Sequence, residues 1–122
     1  MEKNMSMKYI KMIFFLGTFL FLVIPNAYSK DADFEIIEKN VQFQSPDLQL
    51  KVGQTIRLVN KDPYIHMSQI RKLNKHGIET DIVAGGIEQV GSSQDLVLSE
   101  PGNYKLRCIF HDGMILNIKA AR

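Results

Sequence analysis

The chain has 122 residues, 45% of them hydrophobic, with 15 basic and 13 acidic side chains and a formal net charge of +2. That length allows one domain, and the near balance of charge gives no sign of the strongly basic surface that a nucleic-acid partner requires. A single cysteine excludes an internal disulfide framework.

The first 11 residues carry Lys3, Lys8 and Lys11, and an apolar run follows from Met12 to Ile24. Pro25 and Asn26 end the run, and Ala27-Tyr28-Ser29 places small residues three and one positions before a cut after Ser29. A basic start, a short apolar middle and a small-residue end predict a secretory signal peptide over residues 1–29. This run of 13 residues falls short of the roughly 20 that cross a bilayer, so no stable membrane anchor is expected after cleavage. The mature domain is then residues 30–122, in the periplasm or otherwise outside the cytoplasm. It keeps 12 basic and 12 acidic residues, and its formal charge is zero. Its one cysteine, exported to an oxidising compartment without a partner, is an inert core residue, a link to another chain, or a ligand.

Short segments with period-two alternation fill the mature chain, as half-buried strands do. Phe34 to Glu38 is the first candidate. Leu48, Leu50 and Val52 then share a face, as do Ile56 and Leu58 beside Arg57. Another strand is expected to begin at His66. Residues 71–93 are polar and indistinct, and Asp95 to Ser99 is a short candidate. Tyr104, Leu106 and Cys108 alternate with Lys105 and Arg107, and Met114, Leu116, Ile118 and Ala120 with Asn117 and Lys119. Turns are expected at Ser45-Pro46-Asp47, Gly53, Asp62-Pro63, Gly85-Gly86, Gly91-Ser92-Ser93 and Pro101-Gly102. No segment has an apolar stripe at helical spacing. The fold class is therefore all-β: an antiparallel sandwich of seven or eight strands.

Chemistry concentrates at the end of the chain, in Cys108-Ile109-Phe110-His111-Asp112-Gly113-Met114. Cys108 closes one expected strand facing inward and Met114 opens the next, also inward. A tight loop between them brings two sulfurs and an imidazole to one point. His66, at the head of its own strand, is the best fourth donor. Two imidazoles, a thiolate and a weak thioether form the ligand set of a blue-copper electron-transfer site. Thiolate and thioether suit Cu(I), imidazoles also suit Cu(II), and a cage held by strands rearranges little between them.

The chain from about residue 34 onward resembles the cupredoxins, especially the amicyanin and plastocyanin group. The resemblance rests on Asn60-x-Asp62-Pro63-x-x-His66 and on Pro101-Gly102-x-Tyr104-x-x-x-Cys108-x-x-His111-x-x-Met114. It implies a Greek-key sandwich holding one copper ion on His66, Cys108 and His111, with Met114 as the long axial ligand. It also implies a monomeric carrier, not an enzyme, that docks redox donor and acceptor proteins near His111, against an apolar patch of Ile65, Ile109 and Phe110. Three positions depart from the family pattern. Met67 stands where an asparagine often ties the first histidine's strand to the cysteine loop, so Ser68 or the backbone must replace it. Asp112 replaces the usual proline after the second histidine, and Ile115-Leu116 replaces a Lys-Gly pair.

Each residue also has an ordinary reading. A lone inward cysteine is usually a small buried hydrophobe, Met114 is by default core packing, and Met67 is local packing. His76, in a polar turn, is expected to be solvated. Cys108 and His111 lack a separate orienting group for nucleophilic catalysis, and zinc rarely accepts a thioether. A copper carrier and a metal-free binding module are the competing functions.

Overall fold

The computed structural model describes residues 30–122, and the expected signal peptide lies outside the described residues. Nine strands follow in order: β1 (Phe34–Lys39), β2 (Gln42–Gln44), β3 (Leu48–Lys51), β4 (Thr55–Asn60), β5 (His66–Leu73), β6 (Glu79–Glu88), β7 (Ser93–Val97), β8 (Gly102–Cys108) and β9 (Ile115–Ala121). They form two sheets, of order β2-β1-β4-β7 and β3-β9-β8-β5-β6. The expected alternation is present: Leu48 and Leu50, Ile56 and Leu58, Tyr104, Leu106 and Cys108, and Leu116, Ile118 and Ala120 all point into the core between the sheets. Each such Leu or Ile side chain contributes about 1.5–3 kcal/mol relative to exposure.

Nine strands exceed the seven or eight expected, because β6 runs through the polar segment that gave no strand signal, and two further features differ from the sequence reading. Of seven strand pairings, β1 with β4 and β3 with β9 are parallel, so both sheets are mixed. In each case the chain visits the opposite sheet before returning, which removes the need for a hairpin. Gly85 and Gly86 lie inside β6 and not in a turn. Close approach requires the first: a Cβ on Gly85 would stand 2.5 Å from the Ser68 carbonyl oxygen, whereas one on Gly86 would meet only the movable end of the Gln94 side chain.

The hairpin β5–β6 is followed by β7 in the other sheet, and β8 then returns beside β5. That return is a Greek-key crossing. It makes β5, β8 and β9 neighbours, with the start of β5, the end of β8 and the start of β9 at one end of the sandwich. At the other end the buried Tyr104 donates its hydroxyl to the Glu100 carbonyl at 2.6 Å, fixing the entry into β8.

Candidate metal centre

The loop joining β8 to β9 is closed by its own backbone. Cys108 N donates to the Met114 carbonyl at 3.1 Å, and Met114 N to the His111 carbonyl at 3.3 Å. Gly113 takes the left-handed conformation (φ +83°) that so short a loop requires and that glycine adopts without steric cost. Ser68 stands opposite Cys108 in the β5–β8 register, and Ile109 N donates to the Met67 carbonyl at 2.8 Å. The backbone of Met67 therefore makes the tie, which is one of the two substitutes expected for the absent asparagine. The Ser68 hydroxyl takes no part in it.

This loop and the head of β5 bring three donors together. Cys108 Sγ lies 3.6 Å from His66 Nδ1 and 3.5 Å from His111 Nδ1. The donor atoms of His66, Cys108 and His111 all fall within 4.8 Å of one another. A sulfur and a nitrogen bound to one tetrahedral ion at about 2.3 and 2.0 Å are about 3.5 Å apart. The observed separations match that figure, so the three side chains can hold a single metal ion where they stand. Met114, the next inward residue after Gly113, is 1% exposed.

The two histidines differ in setting. His66 is fully buried and His111 half-buried, with ring centroids 5.0 Å apart in an edge-on arrangement. Behind His66, Asp62 Oδ2 lies 2.9 Å from Nε2. The Asp62 carboxylate also accepts from Asn40 N at 2.7 Å and Val41 N at 3.0 Å, two residues held at positive φ in the β1–β2 turn. Burial pushes the Asp62 carboxyl up, but the Val41 amide, the His66 ring and the Asn40 amide together hold it below its ordinary value. An ionised Asp62 fixes the proton on Nε2 and leaves Nδ1 as the lone-pair nitrogen facing Cys108.

Two more carboxyl groups are buried nearby, Glu38 on β1 and Glu88 at the end of β6, both 0% exposed. Glu38 Oε2 is 4.0 Å from His66 Nδ1, and Glu88 accepts from Ser68 N at 3.2 Å. Desolvation, then repulsion from Glu88 and Asp62, pushes the Glu38 carboxyl up to about 8. Burial likewise raises Glu88, against the opposing hydrogen bonds from Ser68. Asn60 braces the cluster, donating to the Tyr64 carbonyl at 2.7 Å and the Glu88 carbonyl at 3.0 Å while its side-chain oxygen accepts from Asp62 N at 2.9 Å.

Ile65, Ile109 and Phe110 are exposed, as an apolar patch requires. Tyr64 joins them, 55% exposed, with its ring 6.3 Å from that of His111. Asp112 is exposed next to His111, and His76 is exposed in the β5–β6 turn at the other end of β5. Sequence reasoning gave no role at the site to Asp62, Glu38, Glu88 or Tyr64. Asp62 was legible four residues before His66, and Glu38 stands at an inward position after Phe34 and Ile36.

No protein-family model matches the chain, and no curated protein sequence does. Solved structures do match. A Cu(I) form of a methionine-to-alanine variant of amicyanin aligns with a TM-score of 0.59 at 20% identity, over 75% of this chain and 84% of that one. The reduced form of a tryptophan-to-tyrosine variant of amicyanin gives 0.57 at 18% identity, over 75% and 87%. A purple cupredoxin from Nitrosopumilus maritimus gives 0.57 at 22% identity, over 75% of this chain and all of that one. The chain has the cupredoxin fold. In that fold the donor cluster of this chain sits where β5, β8 and β9 meet. No helix among the described residues is long and apolar enough to cross a membrane.

Proposed function

We propose that this protein is a type 1 copper electron carrier, binding one ion through His66, Cys108, His111 and Met114. The observation that carries the reading is the pair of sulfur–nitrogen separations of 3.5 and 3.6 Å among side chains drawn from two sequence regions 42 residues apart. The amicyanin neighbours were determined as Cu(I) and oxidised forms, which supports copper over zinc, as does the thioether. Bound copper supplies a one-electron change between Cu(I) and Cu(II).

The chain's own residues determine how that change proceeds. Asp62 holds the His66 ring by its Nε2–H and keeps Nδ1 aimed at Cys108. Cys108, 5% exposed, and Met114, 1% exposed, keep water from the sulfur side. The loop is tied to β5 through Ile109 N, so the donors move little and reorganisation is small. His111 carries the site to the surface, where Tyr64 and Phe110 flank it. The domain is residues 30–122, exported by residues 1–29 and acting outside the cytoplasm as a monomer between a redox donor and acceptor, without turning over a substrate of its own.

The test is the visible spectrum of the purified protein after Cu(II) is added and again after a reductant. An intense thiolate-to-copper charge-transfer band that bleaches and returns is expected. A weak d–d band alone, or rapid oxidation of Cys108, would overturn the assignment and favour a copper carrier or a metal-free binding module.

A further inference from the structure

The described residues balance 12 basic against 12 acidic side chains, but the balance does not hold at the surface. Glu38, Asp62 and Glu88 are buried, while every Lys and Arg remains at least partly exposed. The surface therefore presents 12 basic against nine acidic groups, and the excess is not evenly spread.

Alternation in the five-stranded sheet turns Arg71 on β5, Lys105 and Arg107 on β8, Lys119 on β9 and Lys51 on β3 to its outer face. Arg71 and Lys105 stand directly opposite each other in the register, an arrangement of like charges that destabilises a sheet. One carboxylate, Glu79, serves three of these cations, at 2.6 Å from Arg107, 3.8 Å from Arg71 and 3.9 Å from Lys105. Among the described residues no carboxylate lies within ion-pair distance of Lys51 or Lys119. The outer face of the other sheet is different: there Arg57 is held by Asp95 at 2.8 Å and Glu35 is exposed.

Toward the end away from the donor cluster the basic face opens into a cleft of about 530 Å³. Lys75, Lys119, Asn103 and Gln49 bring amine and amide donors to it. Its acidic lining residue is Asp47, whose two oxygens already accept from Asn117 N at 3.0 Å and Asn117 Nδ2 at 3.2 Å. Free cationic and amide donors around a wall whose carboxylate is already engaged fit incoming carboxylates.

We infer that the outer face of the five-stranded sheet, from Arg107 to the Lys119 cleft, docks a protein partner that presents a carboxylate-rich surface. A protein is favoured over a nucleic acid because the outward positions of β3, β5, β8 and β9 hold no aromatic side chain on which bases could stack. The face also runs up to the donor cluster. Arg107 points outward one residue before the inward Cys108, so a partner seated here is one peptide unit from the thiolate. Resting on the electron-carrier reading, this makes the acidic partner a redox partner, steered by charge.

The test is an NMR titration of the 15N-labelled protein with poly-L-glutamate at low salt, repeated at about 150 mM salt, where surface attraction is screened. Shifts confined to amides of β3, β5, β8 and β9 are expected, weakening with salt. Lys105→Glu with Lys119→Glu should weaken binding on the order of tenfold, whereas Lys39→Glu with Lys61→Glu should not. Shifts spread evenly over the molecule, or equal loss in both double variants, would overturn the face. Tighter binding to phosphatidylserine vesicles or to duplex DNA than to poly-L-glutamate would overturn the class of partner. The visible copper band is read on the same samples. A mapped face without the band refutes the electron carrier alone, and a band without the mapped face refutes the docking surface alone.

Discussion

His66 and His111 have ring centroids 5.0 Å apart and both direct Nδ1 at Cys108, yet they are held by opposite means. His66 heads a strand paired on both sides, is fully buried, and has a carboxylate on its far nitrogen and further carboxyl groups around it. His111 sits in a four-residue turn, half-buried, with a tilted tyrosine ring as its neighbour. One donor is fixed by the interior, while the other is left where a partner can reach it. The contrast implies that rigidity of the centre comes from the β1–β5 side and access from the β8–β9 loop.

Separating the two sides by mutation should give the largest effect. In the metal-free protein His66→Ala leaves Asp62 and Glu38 buried with no ring between them and should cost about 3 kcal/mol in urea unfolding. His111→Ala should cost less than about 1 kcal/mol, although either change removes the proposed copper band. Equal costs would erase the distinction between the arms.

Asp62→Ala comes next, because it strips three hydrogen bonds from a buried carboxylate: those from Asn40, Val41 and His66. A loss of about 2 kcal/mol is expected. Its pH dependence has a definite sign. The folded pKa lies below the unfolded one, so the contribution is full above the ordinary carboxylate range and is lost as the pH falls through the folded value. The difference between wild type and Asp62→Ala should therefore narrow in acid.

Glu38 has the reverse sign. Its carboxyl is raised from 4.5 to about 8, so between those limits the folded chain keeps a proton that the unfolded chain has released. Stability is full below about pH 4.5 and falls as the pH rises toward 8. Glu38→Gln should be more stable than wild type by about 2 kcal/mol near pH 8 and lose that advantage near pH 5, as followed by urea midpoints of the metal-free protein. A flat difference across that range would show that Glu38 is not titrating in the fold.

The smallest effect belongs to the exposed arm. Asp112→Pro removes a negative charge beside His111, and the reduction potential of the copper-loaded protein should rise, modestly because solvent screens Asp112. No change, or a fall, measured by voltammetry would contradict this.

Much of this was legible in the sequence wherever the information is local. Alternation placed Cys108 inward at the end of β8 and Met114 inward ahead of β9, and the spacing to His111 followed from one short loop. The parallel pairings were not legible, because β1 meets β4 and β3 meets β9 across long stretches of chain. Gly85 and Gly86 were misread because glycine marks a turn and a close backbone approach alike, and only the packed neighbour Ser68 separates the two at Gly85. Met67 left open how the loop is tied to β5, and backbone partners carry no sequence signal. The carboxyl groups around His66 come from β1, the β4–β5 turn and β6, so their convergence is a property of the sandwich and not of any segment.

The most direct test of the central claim is X-ray absorption at the copper edge of the loaded protein, oxidised and then reduced. Short sulfur scattering from one thiolate and two imidazole nitrogens at about 2.0–2.3 Å, with little change between the two states, is the predicted result. Coordination by nitrogen and oxygen alone, or loss of one imidazole on reduction, would contradict a cage set by Cys108, His111 and a His66 held by Asp62.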